Sequence, residues 1–527
     1  MISTFNKESF FMKILLASFI CFFVTTTFSQ PADKIKNSQT YRPTFHFTPK
    51  QNWINDPNGL VYYKNNYHLY FQHNPFGNKW GHMSWGHATS KDLMKWKQTT
   101  VAIPEYKNAD GTVTMIFSGT AVVDSFNTSG FGTKEDHSPL VAVYTANIIK
   151  HDTGFAQYQN IAYSFNGVNF MQYKKNPVLD IKAKDFRDPK IFWYQPGRKW
   201  IMIVSKPTDF KVQFYSSTDL KSWTYLSEFG NTGNQDRVWE CPDIFEMPVE
   251  NGNEKKWVIT LSAGHPQNGY LAMQYFVGEF DGNSFKADNL SYPLYIDYGK
   301  DFYAGITYNN LPVKDRRRIM IGWANSWEYA NDIPTKGFRG MMAIPRTLSL
   351  LKSKDGKYML LQQPIEELKT YRGKMLFDKK TVSIKNGTNN PGINGDALDI
   401  EFVLAKNDLE KSGIKVFKHG EEETLIYFDK KNNTVKIDRT KSGNVNFSKR
   451  FPGIDSVRIS SGDGDLKFRI LIDKSIVEVF INNGEYALTD LVFPTKENGA
   501  IEFFTTPGLI TEFKNVKIWK MNSLMRE

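Results

Sequence analysis

Short apolar runs with two-residue alternation dominate the chain from about residue 44 to residue 350. Representative runs are "GLVYYKNNYHLYFQHN" (59–74), "LVAVYTANI" (140–148), "KIFWYQPGRKWIMIVSK" (190–206) and "RRIMIGWAN" (317–325). Val, Ile, Tyr, Phe and Trp fill the runs, and Gly, Asn, Asp and Pro separate them, a pattern typical of β-strands joined by turns. Sustained helical periodicity is almost absent from this region. The pattern therefore predicts an all-β fold.

A weak internal repeat refines this prediction. "ATSKDLMKWKQ" (88–98) and "YSSTDLKSWTYL" (215–226) share the pattern Ser-x-Asp-Leu-x-x-Trp. Repeated four-strand units are typical of a propeller, and a region of this length holds about five blades at roughly 60 residues each. We therefore predict a five-bladed β-propeller over residues 40–355.

The remainder of the chain predicts a second domain. Residues 362–372, "QQPIEELKTYR", are the one helical-looking segment, and we interpret 356–375 as a linker around it. Alternating strands such as "LKFRILIDKSIVEVFINNG" (466–484) follow. The full prediction is a five-bladed β-propeller followed by a C-terminal β-sandwich over residues 376–527.

The N-terminal segment has the features of a secretory signal peptide. "MKILLASFICFFVTTTFSQ" (12–30) contains Lys13, an apolar core and then small polar residues, which is the order found in such signals. We expect residues 1–29 to be removed, giving a secreted or periplasmic protein without membrane insertion of the mature chain. A surface lipoprotein anchored through Cys21 is the alternative, although the preceding Ser-Phe-Ile is a poor lipobox.

Composition narrows the possible partners. The chain has 527 residues and a formal net charge of +11, from 66 basic and 55 acidic residues spread along it. No zinc-finger spacing, basic helix or RNA-binding aromatic signature occurs, so nucleic acid is not an expected partner. Cys21 and Cys241 are the two cysteines, and loss of the signal peptide would leave Cys241 without a disulfide partner. We interpret it as a buried packing residue.

Three carboxylates lie among aromatic residues and prolines. Asp56 belongs to "WINDPNGL", Asp188 to "FRDPKIFWY" and Glu240 to "VWECPDIF". Each carboxylate is next to a proline or one residue away from it, at the end of an apolar strand. Because a propeller gathers such positions from several blades around one central pocket, the three side chains are expected to meet. Two carboxylates beside an aromatic surface are the groups that glycoside hydrolysis requires, although three surface loop acids that never meet would give the same pattern.

Five motifs in order strengthen the catalytic interpretation through a family resemblance. They are "HFTPKQNWINDPNGL" (46–60), "FSGTAVVD" (117–124), "FRDP" (186–189), "WECPD" (239–243) and "GWANSWEYANDIPT" (322–335). The chain resembles glycoside hydrolase family 32, the secreted β-fructosidases, from about residue 42 to its C-terminus. The chain departs from the commoner residues of this family at three motif positions, Ile54, Thr120 and Ala324. All three carboxylates are present.

The resemblance implies a role for each carboxylate. Asp56 would be the nucleophile that attacks the anomeric C2 of a fructosyl unit, with retention of configuration. Glu240 would be the acid/base, and Asp188 would bind fructose hydroxyls and stabilise the transition state, with Arg187 favouring its ionised form. No metal and no cofactor are implied. Eight further residues would line the fructose site: Asn55, Gln72, Trp80, Phe117, Ser118, Arg187, Tyr303 and Trp327.

Several alternatives stay open at this point. His73, His82 and His87 lie within fifteen residues, but their spacing matches no common metal-ligand pattern. An inverting propeller hydrolase acting on arabinan or xylan also uses three carboxylates, but the full Trp53-to-Gly59 motif argues against it. A non-catalytic sugar-binding propeller would be expected to have lost a carboxylate. The sandwich domain would brace the propeller or bind polymer, and we favour bracing.

The substrate prediction rests on two stretches. "YIDYGKDFYAGITYNN" (295–310) and "NSWEYANDIPT" (325–335) look more like exo-acting inulinases and levanases than dedicated invertases. We therefore expect release of terminal fructose from a fructan, levan rather than inulin, with weaker action on sucrose. An invertase that prefers sucrose is the alternative.

Overall fold

The computed structural model describes residues 39–524, apart from 152, 251, 268, 289–292, 406–409 and 461–463. The predicted signal peptide lies outside the described residues. Within the described ranges, no helix is long and apolar enough to cross a membrane. The described secondary structure is almost entirely β, with three short 3₁₀ helices at Pro207–Asp209, Glu366–Tyr371 and Asn482–Gly484.

The strands of the first half form five blades around a central axis. Blade one contains β1 (Asn52–Tyr63), β2 (Asn66–Asn74), β3 (Ser84–Ser90) and β4 (Trp96–Gln98). Blade two contains β5 (Tyr106–Lys107), β6 (Val113–Val123), β7 (Leu140–Lys150), β8 (Thr153–Ser164) and β9 (Met171–Gln172). Blade three contains β10 (Arg187–Tyr194), β11 (Lys199–Lys206), β12 (Lys211–Ser217) and β13 (Thr224–Gly230). Blade four contains β14 (Glu240–Glu250), β15 (Lys255–Gly264), β16 (Leu271–Phe280), β17 (Phe285–Ala287) and β18 (Leu294–Tyr295). Blade five contains β19 (Tyr303–Thr307), β20 (Arg318–Trp323), β22 (Arg346–Lys352) and β23 (Tyr358–Pro364). The all-β propeller prediction is confirmed.

The ring of blades is closed by short parallel pairings. β21 (Phe338–Arg339), which follows the second strand of blade five, pairs with Asn52 and Trp53 of β1. The end of β14 pairs in parallel with β22, which joins blades four and five into one sheet. The inner strands β1, β6, β10, β14 and β19 contact one another in a closed circle. Side chains from all five blades therefore reach one central channel.

The segment expected to be a linker contributes to the propeller. β23 pairs along its full length with β22, the 3₁₀ helix Glu366–Tyr371 follows, and the next strand begins at Arg372. The helical-looking sequence is thus helical only from Glu366 to Tyr371.

A sandwich built from ten strands forms the second domain. Its strands are β24 (Arg372–Asn389), β25 (Ala397–Leu404), β26 (Lys411–His419), β27 (Glu422–Asp429), β28 (Thr434–Lys441), β29 (Ile454–Arg458), β30 (Leu466–Asp473), β31 (Ile476–Ile481), β32 (Tyr486–Leu491) and β33 (Ala500–Met521). The long strand β33 pairs with β26 near its start and with β25 near its end. Inward-facing apolar residues of the two layers form one continuous core, as alternation predicts.

The two domains share a buried interface. Apolar residues of the sandwich, including Ile476, Leu491 and Phe493, pack within a core cluster of blades four and five. Arg346 of β22 is buried and donates to Asp297 at 2.8 Å and to Glu478 of the sandwich at 2.9 Å. These paired, hydrogen-bonded charges hold the two domains in one orientation, because moving the domains apart would leave buried charges without partners.

Candidate active site

Each inner strand is irregular at the same level of the channel. The pairing register shifts at 54–57 in β1, 116–119 in β6, 187–190 in β10, 240–243 in β14 and 303–306 in β19. A bulge adds an unpaired residue, bends the strand and redirects a side chain. All three predicted carboxylates, together with Ser118 and Tyr303, lie at these bulges. The bulges explain how side chains of buried strands point into one pocket.

The prolines of the sequence motifs fit these bulges. Pro57, Pro189 and Pro242 fall inside the irregular stretches of β1, β10 and β14. Proline has no N–H to donate to a strand ladder, so it is tolerated at a bulge. Asp188 and Cys241, the residues before two of these prolines, have left-handed φ values of 65° and 47°. The Asp-Pro and Cys-Pro dipeptides therefore mark strand bulges, although they look like loop turns in the sequence.

Asp56 accepts two strong hydrogen bonds, one on each oxygen. The Asn55 amide donates to Oδ1 at 3.0 Å, and the Ser118 hydroxyl donates to Oδ2 at 2.8 Å. Burial raises the pKa of Asp56 and nearby Glu240 raises it further, whereas the bonds from Asn55 and Ser118 lower it. The Trp53 indole N–H donates to the side-chain oxygen Oδ1 of Asn55 at 2.7 Å, which fixes the orientation of the Asn55 side-chain amide.

Glu240 is bound through both of its oxygens. Arg187 donates to Oε1 from Nε at 3.1 Å and from Nη2 at 2.9 Å. The Tyr303 hydroxyl donates to Oε2 at 2.6 Å. Asp185 also pairs with Arg187, at 3.1 Å. Since both oxygens have charge-assisted or short bonds, the orientation of the Glu240 carboxyl group is strongly determined.

Asp188 lies deepest of the three carboxylates and is 6% exposed. Its backbone N–H donates to the Thr145 hydroxyl at 2.9 Å, and its Oδ2 accepts the Cys241 backbone N–H at 3.0 Å. Burial raises the pKa of Asp188 to about 7 against the lowering effect of Arg187, and Glu240 and Asp56 add to the increase. Arg187 therefore acts in the predicted direction, but burial outweighs it.

Cys241 lies between two of the carboxylates. Its sulphur is 3.6 Å from Asp56 Oδ2 and 3.6 Å from Asp188 Oδ2. The residue is 5% exposed, and burial together with the negative charges of Asp188 and Asp56 raises the pKa of the thiol well above its usual value. A protonated, buried thiol is a weak hydrogen-bond donor and a poor nucleophile. The interpretation of Cys241 as a buried packing residue is confirmed.

Aromatic side chains form the wall of the pocket. Trp53, Tyr303 and Trp323 are buried in one cluster with Cys241, and Phe117 and Trp327 pack against it. The Trp53 and Trp327 rings stack with centroids 5.8 Å apart. Trp80 contacts Phe117 edge to face at 6.1 Å and is 41% exposed, which places it at the outer rim. The pocket thus combines three acids with a broad apolar surface.

The predicted site residues differ in how directly they meet the carboxylates. Asn55, Ser118, Arg187 and Tyr303 hydrogen-bond to them, whereas Phe117, Trp327 and Trp80 belong to the aromatic wall. Gln72 is 2% exposed, and its amide donates to Asn58 at 2.6 Å. Trp53, Trp323 and Thr145 were not among the predicted wall residues. Thr145 gives no sequence signal, because threonine is an ordinary strand residue in "LVAVYTANI".

The three histidines considered for a metal site have separate partners. His73 Nδ1 lies 2.8 Å from the Trp53 carbonyl oxygen, His82 Nδ1 lies 2.7 Å from Glu105, and His87 Nε2 lies 2.9 Å from His68. The three histidines share none of these partners. Across the described residues, no three His, Cys, Asp or Glu side chains form a group suited to a metal ion.

A layer of polar residues closes the channel beneath the carboxylates. Lys190 pairs with Asp243 at 3.2 Å and donates to the Thr307 carbonyl oxygen at 2.5 Å. Thr307 donates to Asp243 from its backbone at 2.6 Å and from its hydroxyl at 2.8 Å. The Asn309 amide bridges blades two and three through Thr120 and the Ile191 carbonyl oxygen. The catalytic pocket therefore has a floor and opens at one end.

Comparison with known proteins identifies the family. The model for the "Glycosyl hydrolases family 32 N-terminal domain" matches residues 46–364, and the model for the "Glycosyl hydrolases family 32 C terminal" matches residues 367–520. The chain is 42% identical to the levanase of Bacillus subtilis (strain 168), over 94% of this chain and 73% of that protein. It is 37% identical to the extracellular exo-inulinase inuE of Aspergillus niger, over 92% and 95% of the two chains. The crystal structure of exo-inulinase from Aspergillus awamori superposes with a TM-score of 0.85 at 36% identity, over 93% of this chain and 100% of that chain. Motifs, fold and these matches agree, and the chain belongs to glycoside hydrolase family 32.

Proposed function

We infer that this protein is an exo-acting β-fructosidase that releases terminal β-D-fructofuranosyl residues from fructans and, more weakly, from sucrose. Family membership and the arrangement of Asp56, Asp188 and Glu240 in one aromatic pocket support this assignment. The levanase and exo-inulinases among its relatives match nearly the whole chain. Levan is the polymer we expect, with inulin as the alternative.

The proposed reaction has two steps. Asp56 attacks the anomeric C2 and forms a covalent fructosyl ester, while the C2–O bond breaks and Glu240 gives its proton to the departing oxygen. Water then attacks C2, Glu240 takes a proton from it, and the Asp56 carboxylate is released. Both steps invert C2, so the fructose keeps the β configuration. The bonds from Asn55 and Ser118 support the nucleophile by favouring its ionised form.

Asp188 is proposed to bind the fructose ring. Its Oδ2 accepts the Cys241 N–H, whereas Oδ1 has no hydrogen-bond partner within the described residues. That oxygen is therefore available for sugar hydroxyls. Ionised Asp188 also stabilises the positive charge that develops on the ring in the transition state.

The closed floor of the pocket is the observation that supports the exo mode. Lys190, Asp243, Thr307 and Asn309 bond across the channel directly beneath the carboxylates. A polymer cannot pass through this layer, so the substrate must enter and leave by the one open end, between the aromatic walls, which favours binding of a terminal unit. The rest of the chain leaves past Trp80 at the rim.

Timed digests of levan, inulin and sucrose, resolved by thin-layer chromatography, test this function. Fructose is expected as almost the only early product from either polymer, with Asp56→Asn protein as the inactive control. A ladder of fructo-oligosaccharides would refute the exo mode. A strong preference for sucrose would make the protein an invertase.

We also propose that the protein is exported. The signal-like sequence of residues 12–30 and the extracellular exo-inulinases among its relatives support export. Fractionation of the native host and N-terminal sequencing of the mature chain would test it. Labelling of Cys21 by a fatty acid would instead support the lipoprotein alternative.

A further inference from the structure

A large cavity lies at the mouth of the propeller opposite the carboxylates. Its volume is about 1160 Å³, and it is bordered by the ends of β6, β10 and β14 and by the segment that connects β19 to β20. The polar layer of Lys190, Asp243, Thr307 and Asn309 separates it from the catalytic pocket. No part of the proposed catalytic mechanism uses this cavity.

Aromatic rings form one wall of the opposite-mouth cavity. Phe126, in the loop after β6, is 62% exposed and lies 5.3 Å from the Trp193 ring. Trp193 in turn contacts Trp200 at 5.1 Å. Between blades three and four, the rings of Phe192 and Trp257 lie 5.4 Å apart. Exposed phenylalanine supported by tryptophan gives a firm apolar platform in a site that is open to water, an arrangement suited to a ligand with a flat apolar face.

The charges around this cavity nearly cancel. Lys255 pairs with Glu246 at 2.9 Å, and Arg317 lies between Asp315 at 2.7 Å and Glu367 at 2.8 Å. Because most of the positive charge is already neutralised by carboxylates, the site does not favour a multivalent anion. It favours a neutral ligand that carries many hydroxyl groups.

Two arginines supply hydrogen-bonding capacity that the protein itself leaves unused. The Arg318 guanidinium packs over the Phe245 ring at 5.1 Å, and its side chain makes no hydrogen bond within the described ranges. Arg316 is exposed on the same cavity. Guanidinium groups present several N–H donors in a fixed plane, which suits neighbouring hydroxyls on a sugar.

The cavity continues into a second depression. That depression has a volume of about 700 Å³ and shares Glu246 and residues 315–318 with the first. Two connected depressions fit an extended chain better than a single sugar. Together with the aromatic platform and the balanced charge, they indicate a polysaccharide.

We propose that the opposite-mouth cavity binds an internal segment of the fructan polymer, with Phe126 as its stacking residue and Arg316 as a hydrogen-bond donor. This inference rests on the proposed fructosidase function. The two sites are on opposite faces of the propeller, so adjacent sugar units cannot occupy both. Both sites can be occupied together only by one long chain or by two chains of the same polymer aggregate. Binding at the opposite-mouth cavity then raises the local concentration of chain ends at the catalytic pocket.

The test compares polymeric and short substrates. The double variant Phe126→Ala/Arg316→Gln removes two exposed side chains and is expected to fold. Its KM for levan or inulin should rise about two- to tenfold, the loss expected for one aromatic contact. Its kcat/KM for sucrose and for a fructose-containing trisaccharide should stay unchanged. Tyr225→Ala is the matched control, because Tyr225 is a 49% exposed aromatic residue that does not border the cavity.

A binding measurement separates the two sites. In an Asp56→Asn background, migration of the protein through a gel that contains levan should be retarded even when excess fructose fills the catalytic pocket. The double variant should lose that retardation, and Tyr225→Ala should keep it. Unchanged polymer KM, an equal rise in KM for sucrose, or unchanged retardation of the double variant would overturn the proposal. Failure of the fructosidase assignment would look different, since the wild-type protein would then hydrolyse none of these substrates.

Discussion

The hydrogen bond from Tyr303 to Glu240 gives the sharpest test of the acid/base assignment. Tyr303→Phe removes one hydroxyl, which donates to Oε2 at 2.6 Å, and keeps the ring in its buried cluster. A hydrogen bond to a charged group contributes about 1.5–3 kcal/mol. With 1.36 kcal/mol for each factor of ten in rate, kcat/KM for sucrose should fall about 10- to 100-fold. The melting temperature should fall by only a few degrees, because the ring keeps its packing and only the hydrogen bond is lost.

The assay compares two leaving groups. Sucrose needs protonation of its departing oxygen, whereas an aryl β-fructofuranoside with an acidic phenol needs much less. If Tyr303 acts by orienting Glu240, the defect of Tyr303→Phe should shrink severalfold on the aryl substrate. Tyr308→Phe is the matched control, because that buried hydroxyl has no hydrogen-bond partner in the described part of the chain. Equal losses on both substrates, or a loss below about threefold on sucrose, would refute an action through Glu240.

Four further predictions follow from the site and the domain interface. Asp56→Asn and Glu240→Gln should each lose nearly all sucrose turnover. The circular dichroism spectrum of each variant should stay unchanged. More than about a tenth of wild-type activity in Asp56→Asn would disprove the role of Asp56 as nucleophile. Early-time NMR should detect β-fructose before mutarotation, and α-fructose would support the inverting alternative. Burial, with Glu240 and Asp56, raises the pKa of Asp188 from 3.8 to about 7 against the lowering effect of Arg187. Folding therefore takes up a proton between these two pH values, and above pH 7 the ionised carboxylate destabilises the fold. Asp188→Asn should therefore be inactive yet melt at a higher temperature than wild type at pH 8, with little difference at pH 4. Burial lowers the pKa of His46, but its bonds to Asp473 and Glu478 outweigh burial and raise it to about 9. The raised pKa contributes at most about 3 kcal/mol to the free energy of unfolding. This contribution is fully present below about pH 6.5 and is lost as the pH rises through 9. The melting temperature of His46→Gln should therefore decrease less than that of the wild type between neutral and alkaline pH.

Much of the architecture was accessible from the sequence because local pattern determines it. Two-residue alternation predicted the strands, and the spacing of turns predicted the blades. The end of the propeller was harder, since "QQPIEELKTYR" mixes a strand end with a 3₁₀ helix. Most residues of that stretch favour helices, as glutamine, glutamate, leucine, lysine and arginine do, but pairing of β23 with β22 decides the conformation of its first residues.

The parts of the site that sequence reasoning missed depend on contacts between distant blades. Thr145 binds the backbone of Asp188 from another blade, and Trp323 closes the aromatic wall from blade five. The floor combines Lys190, Asp243 and Thr307, which are ordinary strand residues when considered singly. Their buried charge becomes informative only when the partners are known, because an unpaired lysine or aspartate would not be stable there.

The domain interface supports a bracing role for the sandwich. Arg346, Asp297 and Thr489 form a buried set of hydrogen bonds that continues to Glu478, and Glu478 in turn reaches His46. This network connects the irregular segment before the first blade to the last blade through the second domain. A propeller is closed by few strand pairings, here two residue pairs between β1 and β21. An external domain that binds both ends of the ring therefore helps to hold it closed.

The bulges connect the chemistry of the site to its mode of action. Pro57, Pro189 and Pro242 interrupt their strands at one level, which turns the carboxylates toward the substrate. Regular pairing resumes immediately below, where Lys190 and Asp243 point into the channel and close it. Glu240 and Asp243 are three positions apart, so a regular strand would point them to opposite faces. The bulge between them allows both side chains to face the channel. The bulges thus direct the three carboxylates into the pocket, and the floor below them leaves one opening for the substrate.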